Sequence, residues 1–306
     1  MKYVVIGAGG TGGILGTQLA KGGNDVTLIA RGAHLAAIKE RGGLFVDRVW
    51  NGTAETISVK ACTMDDYQDT PDVVLVCVKG YSIAGVVPFI ERVAGPHTVV
   101  LPILNIYGTG GKLQAMLPNV DVLDGCTYLY AEIKEPGVIL QSGPYCRIVF
   151  GPRDHNIDVP IYQQMKRDFD ESGITGELTA HIQRDALQKF SYVSPVGSTG
   201  LYYNAVAADM QKPGEARDCF IAMVREISAL ADAMGCPFDH DVVPDDLAIL
   251  DGIAPTATTS MQRDIADGHQ SEIDGLIYEV VRLGEEYHVA VPTYAKVAEE
   301  MKRRGL

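Results

Sequence analysis

The first half of the chain alternates short apolar runs with stretches of helical spacing. Residues 3–6 form a strand-like run. In residues 11–21, Ile14, Leu15, Leu19 and Ala20 fall on one side of a helix. A second strand is predicted at 26–30 and a short helix at 34–41. Further strands are predicted at 44–49 and 56–59. Residues 73–78 read VVLVCV, the continuous apolar run of a strand covered on both faces. A helix at 86–93 and a strand at 99–104 continue the series. Strands alternating with helices predict a doubly wound α/β domain with a parallel sheet and right-handed crossovers.

From about Gly176 the pattern turns helical. Residues 215–234 place Phe220, Val224, Ile227, Ala231 and Met234 at helical spacing, with Gly235 as the stop. Residues 260–288 read as mostly helical, with breaks at Gly268 and Gly275, and Pro292 opens a last amphipathic helix. Two domains are therefore expected, residues 1–178 as the α/β part and 179–306 as an all-α part. Pro244-Asp245-Asp246 reads as a helix start rather than a metal site, since no third ligand is evident.

Composition sharpens this picture at one place. The chain has 33 glycines in 306 residues, and twelve of them fall from Gly7 to Gly52. Gly7-Ala8-Gly9-Gly10-Thr11-Gly12 is a GxGxxG that follows a strand and opens a helix. In that context the glycines permit a tight turn and close backbone approach, and the helix N-terminus offers free N–H groups to a pyrophosphate. Gly7, Gly9, Gly10, Thr11 and Gly12 are therefore candidate cofactor ligands. The second strand ends at Arg31, and no carboxylate lies between Val26 and Ala37. A guanidinium there suits a 2′-phosphate, which a carboxylate would repel, so NADP(H) is expected over NAD(H). Lys79 and Asn105 follow two later strands, where ligands of open parallel sheets gather.

Charge and cysteine usage exclude other classes. A net charge of −13 argues against a nucleic-acid partner, which needs clustered Lys and Arg. The six cysteines form no CxxC pair, so no disulfide is expected and the protein reads as cytoplasmic. The first residues do not read as a signal peptide, and no run is long enough for a membrane span. No zinc-type cluster or Walker-type loop is present.

The sequence resembles the ketopantoate reductase (2-dehydropantoate 2-reductase) family. The resemblance rests on GAGGTGG at 7–13, IARG at 29–32, CVKGY at 77–81, the LN-x-x-G of 104–108, QKF at 188–190 and SMQRDIADGHQSEID at 260–274. It implies a Rossmann-type domain followed by a helical domain with the site between them. It also implies reduction of the ketone of 2-dehydropantoate by NADPH, giving (R)-pantoate for pantothenate biosynthesis. By position, Lys189 matches the family's catalytic lysine and Glu272 its catalytic-site glutamate. Ser260 matches the serine that holds the substrate carboxylate, and Arg31 the 2′-phosphate residue. Asn105 and Lys79 match residues near nicotinamide and substrate.

Two departures bear on the substrate. Pantoate-forming members typically carry asparagines four and eight residues after the lysine, where this chain has Val193 and Gly197. Ser194, Ser198 and Asn204 lie nearby without being clear replacements. The family's V-x-H-x-G stretch is here Ile139-Leu140-Gln141-Ser142-Gly143. A small 2-oxo acid is the expected partner, and a homodimer is an assembly left open. The alternatives are a reductase of the same fold acting on another 2-oxo acid or ketone, and a non-catalytic NADP(H)-binding redox sensor. By itself Ser260 reads as a helix N-cap, with Met261 beginning the helix. On one straight helix, Ser260 and Glu272 would sit about 120° apart, so either a break near Gly268 turns both to one site or the substrate spans them.

Overall fold

The computed structural model describes residues 1–306. The chain divides into two compact units, Met1–Leu104 with Gly108–Ile182, and Asn105–Tyr107 with Gln183–Leu306.

In the first unit the order is β1 (Lys2–Ile6), α1 (Gly10–Lys21), β2 (Asp25–Ile29), α2 (Gly32–Arg41), β3 (Leu44–Arg48), β4 (Thr53–Ile57), β5 (Lys60–Cys62) and β6 (Val73–Val76). There follow α3 (Ile83–Val93), β7 (Val99–Pro102), α4 (Thr109–Met116), β8 (Asp121–Val122), β9 (Asp124–Glu135), β10 (Val138–Gly151), α5 (Pro160–Glu171) and β11 (Thr175–Leu178). Six strands pair in the order β5-β2-β1-β6-β7-β8, every neighbour parallel. The order reverses beside β1, so the crevice beyond the ends of β1 and β6 is the topological switch point. All four residues of β6 are buried, as a doubly covered strand requires.

The alternation of strands and helices does not describe the whole unit. The segments predicted at 44–49 and 56–59 are strands β3 and β4, but they pair antiparallel with each other in a second sheet. That sheet runs β11-β10-β3-β4, with β9 also on β10. Thr175–Leu178 is its edge strand, so the helical character begins later than Gly176, at α6. The long β9–β10 hairpin, turning at Pro136-Gly137, is absent from the expected elements. Ser142-Gly143-Pro144 interrupts the apolar pattern, and the structure uses it as an irregularity between Gln141 and Cys146 rather than as a turn.

Helix α1 packs on both sheets, and small residues make this possible. A Cβ on Gly16 would lie 2.4 Å from Leu28 Cδ2 of the parallel sheet, and one on Gly13 would lie 2.9 Å from Leu44 Cδ2 of the mixed sheet. The early glycine excess thus serves packing as well as the turn.

The second unit is helical: α6 (Ile182–Tyr203), α7 (Ala207–Met210), α8 (Glu215–Ala233), α9 (Val243–Gly252), α10 (Ser260–Ala266), a π turn (Asp274–Tyr278), α11 (Glu279–Glu286) and α12 (Pro292–Arg303). Gly235 takes φ +75° just beyond α8, and Asp245 and Asp246 sit in the first turn of α9. The run at 260–288 is broken where the glycines suggest. Gly268 takes φ +70° after α10, while Gly275 lies inside the π turn. No helix is long and apolar enough to cross a membrane.

Within the first unit, the Phe169 ring is fully buried and meets Phe150 edge-on at 5.4 Å and Tyr3 at 6.3 Å. Phe169→Ala is expected to cost about 3–5 kcal/mol through lost burial and a residual cavity. A lowered urea midpoint with unchanged m-value checks this.

Candidate functional site

The dinucleotide-type turn is built by the end of β1 and the start of α1. Gly7 takes φ +97°, and a Cβ there would stand 2.7 Å from the Cys77 carbonyl oxygen at the end of β6. On Gly10 a Cβ would lie 2.1 Å from the Ala131 carbonyl oxygen of β9. Both positions exclude side chains through backbone contacts. Gly9 differs: nothing lies within 4 Å of where its Cβ would be. The N-terminus of α1 is therefore walled by backbone on two sides and open at Gly9. It has no side-chain cap and no acidic residue in its first turn, so its first N–H groups are available to an anion.

A second helix of the same unit shows the alternative. At α4 the Asp124 carboxylate accepts from Gly110 N–H at 2.8 Å, and Arg153 Nη1 meets its other oxygen at 3.0 Å. That anion position is filled by the protein itself; the one at α1 is not. A dinucleotide pyrophosphate fits the latter.

Arg31 is the N-cap residue of α2, one residue past Ala30, and is exposed. No hydrogen bond or ion pair occupies its guanidinium, and α2 carries no acidic residue in its first turn. Lys79 precedes the single 3-10 turn Gly80–Ser82 beyond β6 and is half-buried. Burial pushes the nearby Cys77 thiol up to about 12, so it stays protonated and unreactive near neutrality.

The second unit gathers a separate set. Asn105 lies three residues beyond the last residue of β7, and its segment belongs to the helical unit. There Lys189 Nζ of α6 donates to Asn105 Oδ1 at 2.8 Å. The neighbouring Tyr107 ring packs on Phe190 with centroids 6.2 Å apart. Ile106 sits where a Cβ on Gly275 would be, 2.5 Å from its Cδ1. One short segment thus touches both α6 and the π turn, and it needs a glycine in that turn to do so. Glu272, two residues before the π turn, is buried at 6% exposure, and its carbonyl accepts from Leu276 N–H at 3.0 Å.

Ser260 departs from its expected place. Thr259 is the N-cap of α10, in a capping box with Gln262, and Ser260 is the first helical residue. The deciding residue is Gln262, three after Thr259, which reaches back to the Thr259 N–H at 3.0 Å. The Ser260 side chain is half-buried and takes no part in the cap.

Four buried hydroxyl residues of α6 set its orientation. Ser191 Oγ lies 2.6 Å from the Gln188 carbonyl oxygen and 2.9 Å from Asp246 Oδ2, and burial pushes the Asp246 carboxyl up to about 7. Ser194 Oγ lies 2.5 Å from the Leu276 carbonyl oxygen and 2.6 Å from Tyr294 Oη. Thr199 meets Met223 Sδ at 3.8 Å, and Ser198 Oγ is buried with no partner. Val193 is half-buried against the apolar core of the unit. A Cβ on Gly197 would lie 3.0 Å from Met261 Cε. Asn204, with φ +50°, lies exposed beyond α6. Among the four, only Ser194 and Ser191 bond across to other elements with short distances.

No group of His, Cys, Asp and Glu side chains is arranged to hold a metal ion, and all six cysteines are free thiols.

Comparison with known proteins agrees with this architecture. The family model for ketopantoate reductase PanE/ApbA matches residues 3–155, and the model for the C-terminal part of the same family matches residues 181–304. A 2-dehydropantoate 2-reductase from Halobacterium salinarum is 28% identical over 98% of this chain and 97% of its own. The crystal structure of 2-dehydropantoate 2-reductase from Methylococcus capsulatus superposes with a TM-score of 0.88 at 24% identity, covering 100% of this chain and 97% of that one. A ternary structure of D-mandelate dehydrogenase with NADH and anilino(oxo)acetate gives 0.85 at 22% identity, covering 98% and 96%. With both halves matched by family models, the chain belongs to the ketopantoate reductase family of oxidoreductases.

Proposed function

We propose that this protein reduces the ketone of a 2-oxo acid with NADPH, 2-dehydropantoate to pantoate being the reaction its family suggests. The observation that carries the reading is the Lys189–Asn105 hydrogen bond at 2.8 Å, which holds an ammonium beside a carboxamide in the same unit as the buried Glu272. The nicotinamide, when bound, supplies a hydride to the carbonyl carbon. Lys189 then has the task of meeting the charge that develops on oxygen: its ammonium hydrogen-bonds that oxygen and gives up one proton, leaving an amine. Asn105 accepts from Lys189 and so aims it; its amide group also serves to place nicotinamide and substrate. Glu272 would orient Lys189 or hold a substrate hydroxyl, and Ser260 would bind the substrate carboxylate.

In the first unit, the Gly7–Gly12 turn would hold the pyrophosphate, Gly9, Gly10, Thr11 and Gly12 contributing backbone N–H groups. Arg31 would pair with the 2′-phosphate, and Lys79 would lie near the cofactor. The uncommitted guanidinium of Arg31 supports NADP(H) over NAD(H).

A second reading has a specific observation in its favour. Val193 lies against an apolar core, and Met261 leaves little room at Gly197. Neither position offers a hydrogen bond to a substrate hydroxyl, which favours a reductase acting on a 2-oxo acid with an apolar side chain. Following NADPH oxidation over a panel of 2-oxo acids separates the two. Turnover of 2-dehydropantoate well above that of 2-oxoisovalerate supports the first reading, and the reverse order supports the second. Tight NADPH binding without turnover of any ketone would leave only a binding role.

Lys189→Ala is expected to lower kcat by at least ~100-fold, the scale of lost acid catalysis, with NADPH affinity retained. A kcat like that of the wild type would remove Lys189 from the proposed role. Arg31→Ala is expected to weaken NADPH binding about tenfold or more while NADH binding changes little, as loss of a charge-assisted pair predicts. Dissociation constants from quenching of protein fluorescence give both values, and equal losses would exclude the 2′-phosphate contact.

A further inference from the structure

His34 is the third residue of α2, in its first turn, and belongs to none of the groups assigned above. Its ring bridges two backbone segments. Nε2 lies 2.8 Å from the Ala8 carbonyl oxygen, inside the glycine turn, and Nδ1 lies 3.1 Å from the Gly137 N–H of the β9–β10 turn. Gly137, at φ +75°, is fixed from its other side as well: Arg41 Nη1 and Phe45 N–H donate to its carbonyl oxygen at 2.6 and 3.0 Å. The hairpin turn is thus a rigid post, and His34 ties the glycine turn to it.

We propose that His34 is a positioning residue for the dinucleotide, holding the Ala8–Gly9 peptide so that the Gly9 N–H faces the open side of the turn. This inference rests on the cofactor reading above. The argument is geometric. A trans peptide is planar, so the Ala8 carbonyl and the Gly9 N–H point in opposite directions across one plane. A donor on one side of that plane fixes the direction of the N–H on the other. Of Gly7, Gly9, Gly10 and Gly12 in the turn, Gly9 is the one where an added Cβ would have nothing within 4 Å.

Only one protonation state satisfies both contacts. The carbonyl oxygen of Ala8 needs a donor, so Nε2 carries the hydrogen. The Gly137 N–H needs an acceptor, so Nδ1 must be bare. An imidazolium would set its Nδ1–H against the Gly137 N–H. Burial lowers the His34 pKa, in the same direction. The charged groups of α2 with its cap and of the hairpin tip are Arg31, Lys39, Glu40, Arg41, Lys134 and Glu135. None of them hydrogen-bonds the ring: Arg41 is on Gly137 O and Lys134 is on Asp47. The neutral form is therefore the folded form. Its contribution to stability is complete above the ordinary histidine pKa of about 6.5, and both the contribution and the hold itself are lost as pH falls through the lowered pKa of the folded protein.

The test compares wild type with His34→Ala and His34→Gln by measuring NADPH and NADH dissociation constants and the Tm of the cofactor-free protein from pH about 8 to about 5.5. A carboxamide has a donor and an acceptor but no proton to gain in this range. His34→Ala should weaken both dinucleotides alike, by about tenfold, the scale of a lost hydrogen bond. That pattern differs from the selective loss expected at Arg31. His34→Gln should keep most of the affinity near pH 8 and lose less than the wild type toward pH 5.5. The 2′-phosphate titrates in this range too, but it does so in both proteins, so the difference between the two profiles is what is read. In the cofactor-free protein, Tm should fall toward acid more steeply for wild type than for His34→Gln. Superimposable profiles for the two proteins overturn the proposal. So does His34→Ala with unchanged affinity. Wild-type protein that binds neither dinucleotide overturns the cofactor reading and the positioning role with it, whereas a Tm difference surviving that result would leave His34 as a purely structural clamp.

Discussion

The uncapped N-terminus of α1 is the demand around which the first unit is arranged. A helix leaves its first N–H groups without intrahelical partners, to be met by side chains, water or a ligand. Asp124 meets one at α4. At α1 the cap residue is Gly9, which has no side chain to offer, and the first turn holds no carboxylate. The surrounding choices follow. Backbone carbonyls of Cys77 and Ala131 press on Gly7 and Gly10 and forbid side chains there. An exposed guanidinium stands at the next helix start instead of an acid. A helix terminus alone contributes about 0.3–1 kcal/mol to an anion, too little for a tight cofactor site. On the proposed reading, affinity would come from several N–H groups acting with a cation, so the precision of the turn would matter more than any one contact.

In the second unit, rotation of α6 about its axis plays the equivalent part. Ser191 and Ser194 lie about 200° and 140° around the helix from Lys189 at 100° per residue. Their hydroxyls are committed to Asp246 on α9 and to Leu276 and Tyr294 on the π turn and α12. Bonds on the buried side thereby set the direction of Lys189 on the other. A π turn widens the helix locally and displaces its carbonyls from the regular ladder. One of those carbonyls, Leu276, is the acceptor that Ser194 uses. The same turn omits a side chain at Gly275, and Ile106 fills the space. Asn105 is thus placed by its neighbour's packing as much as by its own hydrogen bond.

Much of this was legible because it rests on local rules. The parallel sheet follows from apolar runs bounded by turns, and the glycine turn from its place between strand and helix. The breaks at Gly268 and Gly275 mark true departures from a straight α-helix. What was missed depends on contacts distant in sequence. In residues 124–151 Pro136-Gly137 is a local turn signal, but nothing local announces that β10 pairs with β3 and β11 as well as with β9. Ile106 against Gly275 joins positions 169 residues apart. Thr259 against Ser260 is a different case. Two adjacent hydroxyls compete for one cap, and the residue three places on decides. Gln262 can reach back, whereas Arg263 has no acceptor to offer.

Reaction and substrate choice separate physically on the proposed reading. Hydride transfer to a ketone needs a charge partner for oxygen, and that requirement is met by one ammonium with one carboxamide to aim it. Such chemistry leaves a mark in residue type, and Lys189 and Asn105 carry it. Substrate choice would instead depend on the residues one and two turns further along α6. Val193 contributes a branched apolar surface. Gly197 contributes only space, most of it already approached by the Met261 methyl group at 3.0 Å from the missing Cβ. That methyl ends a flexible chain and can move. A larger side chain at Gly197 therefore meets an adjustable neighbour rather than backbone. The two positions can accordingly change without disturbing the serine bonds that aim Lys189, because those bonds lie on different residues of the helix.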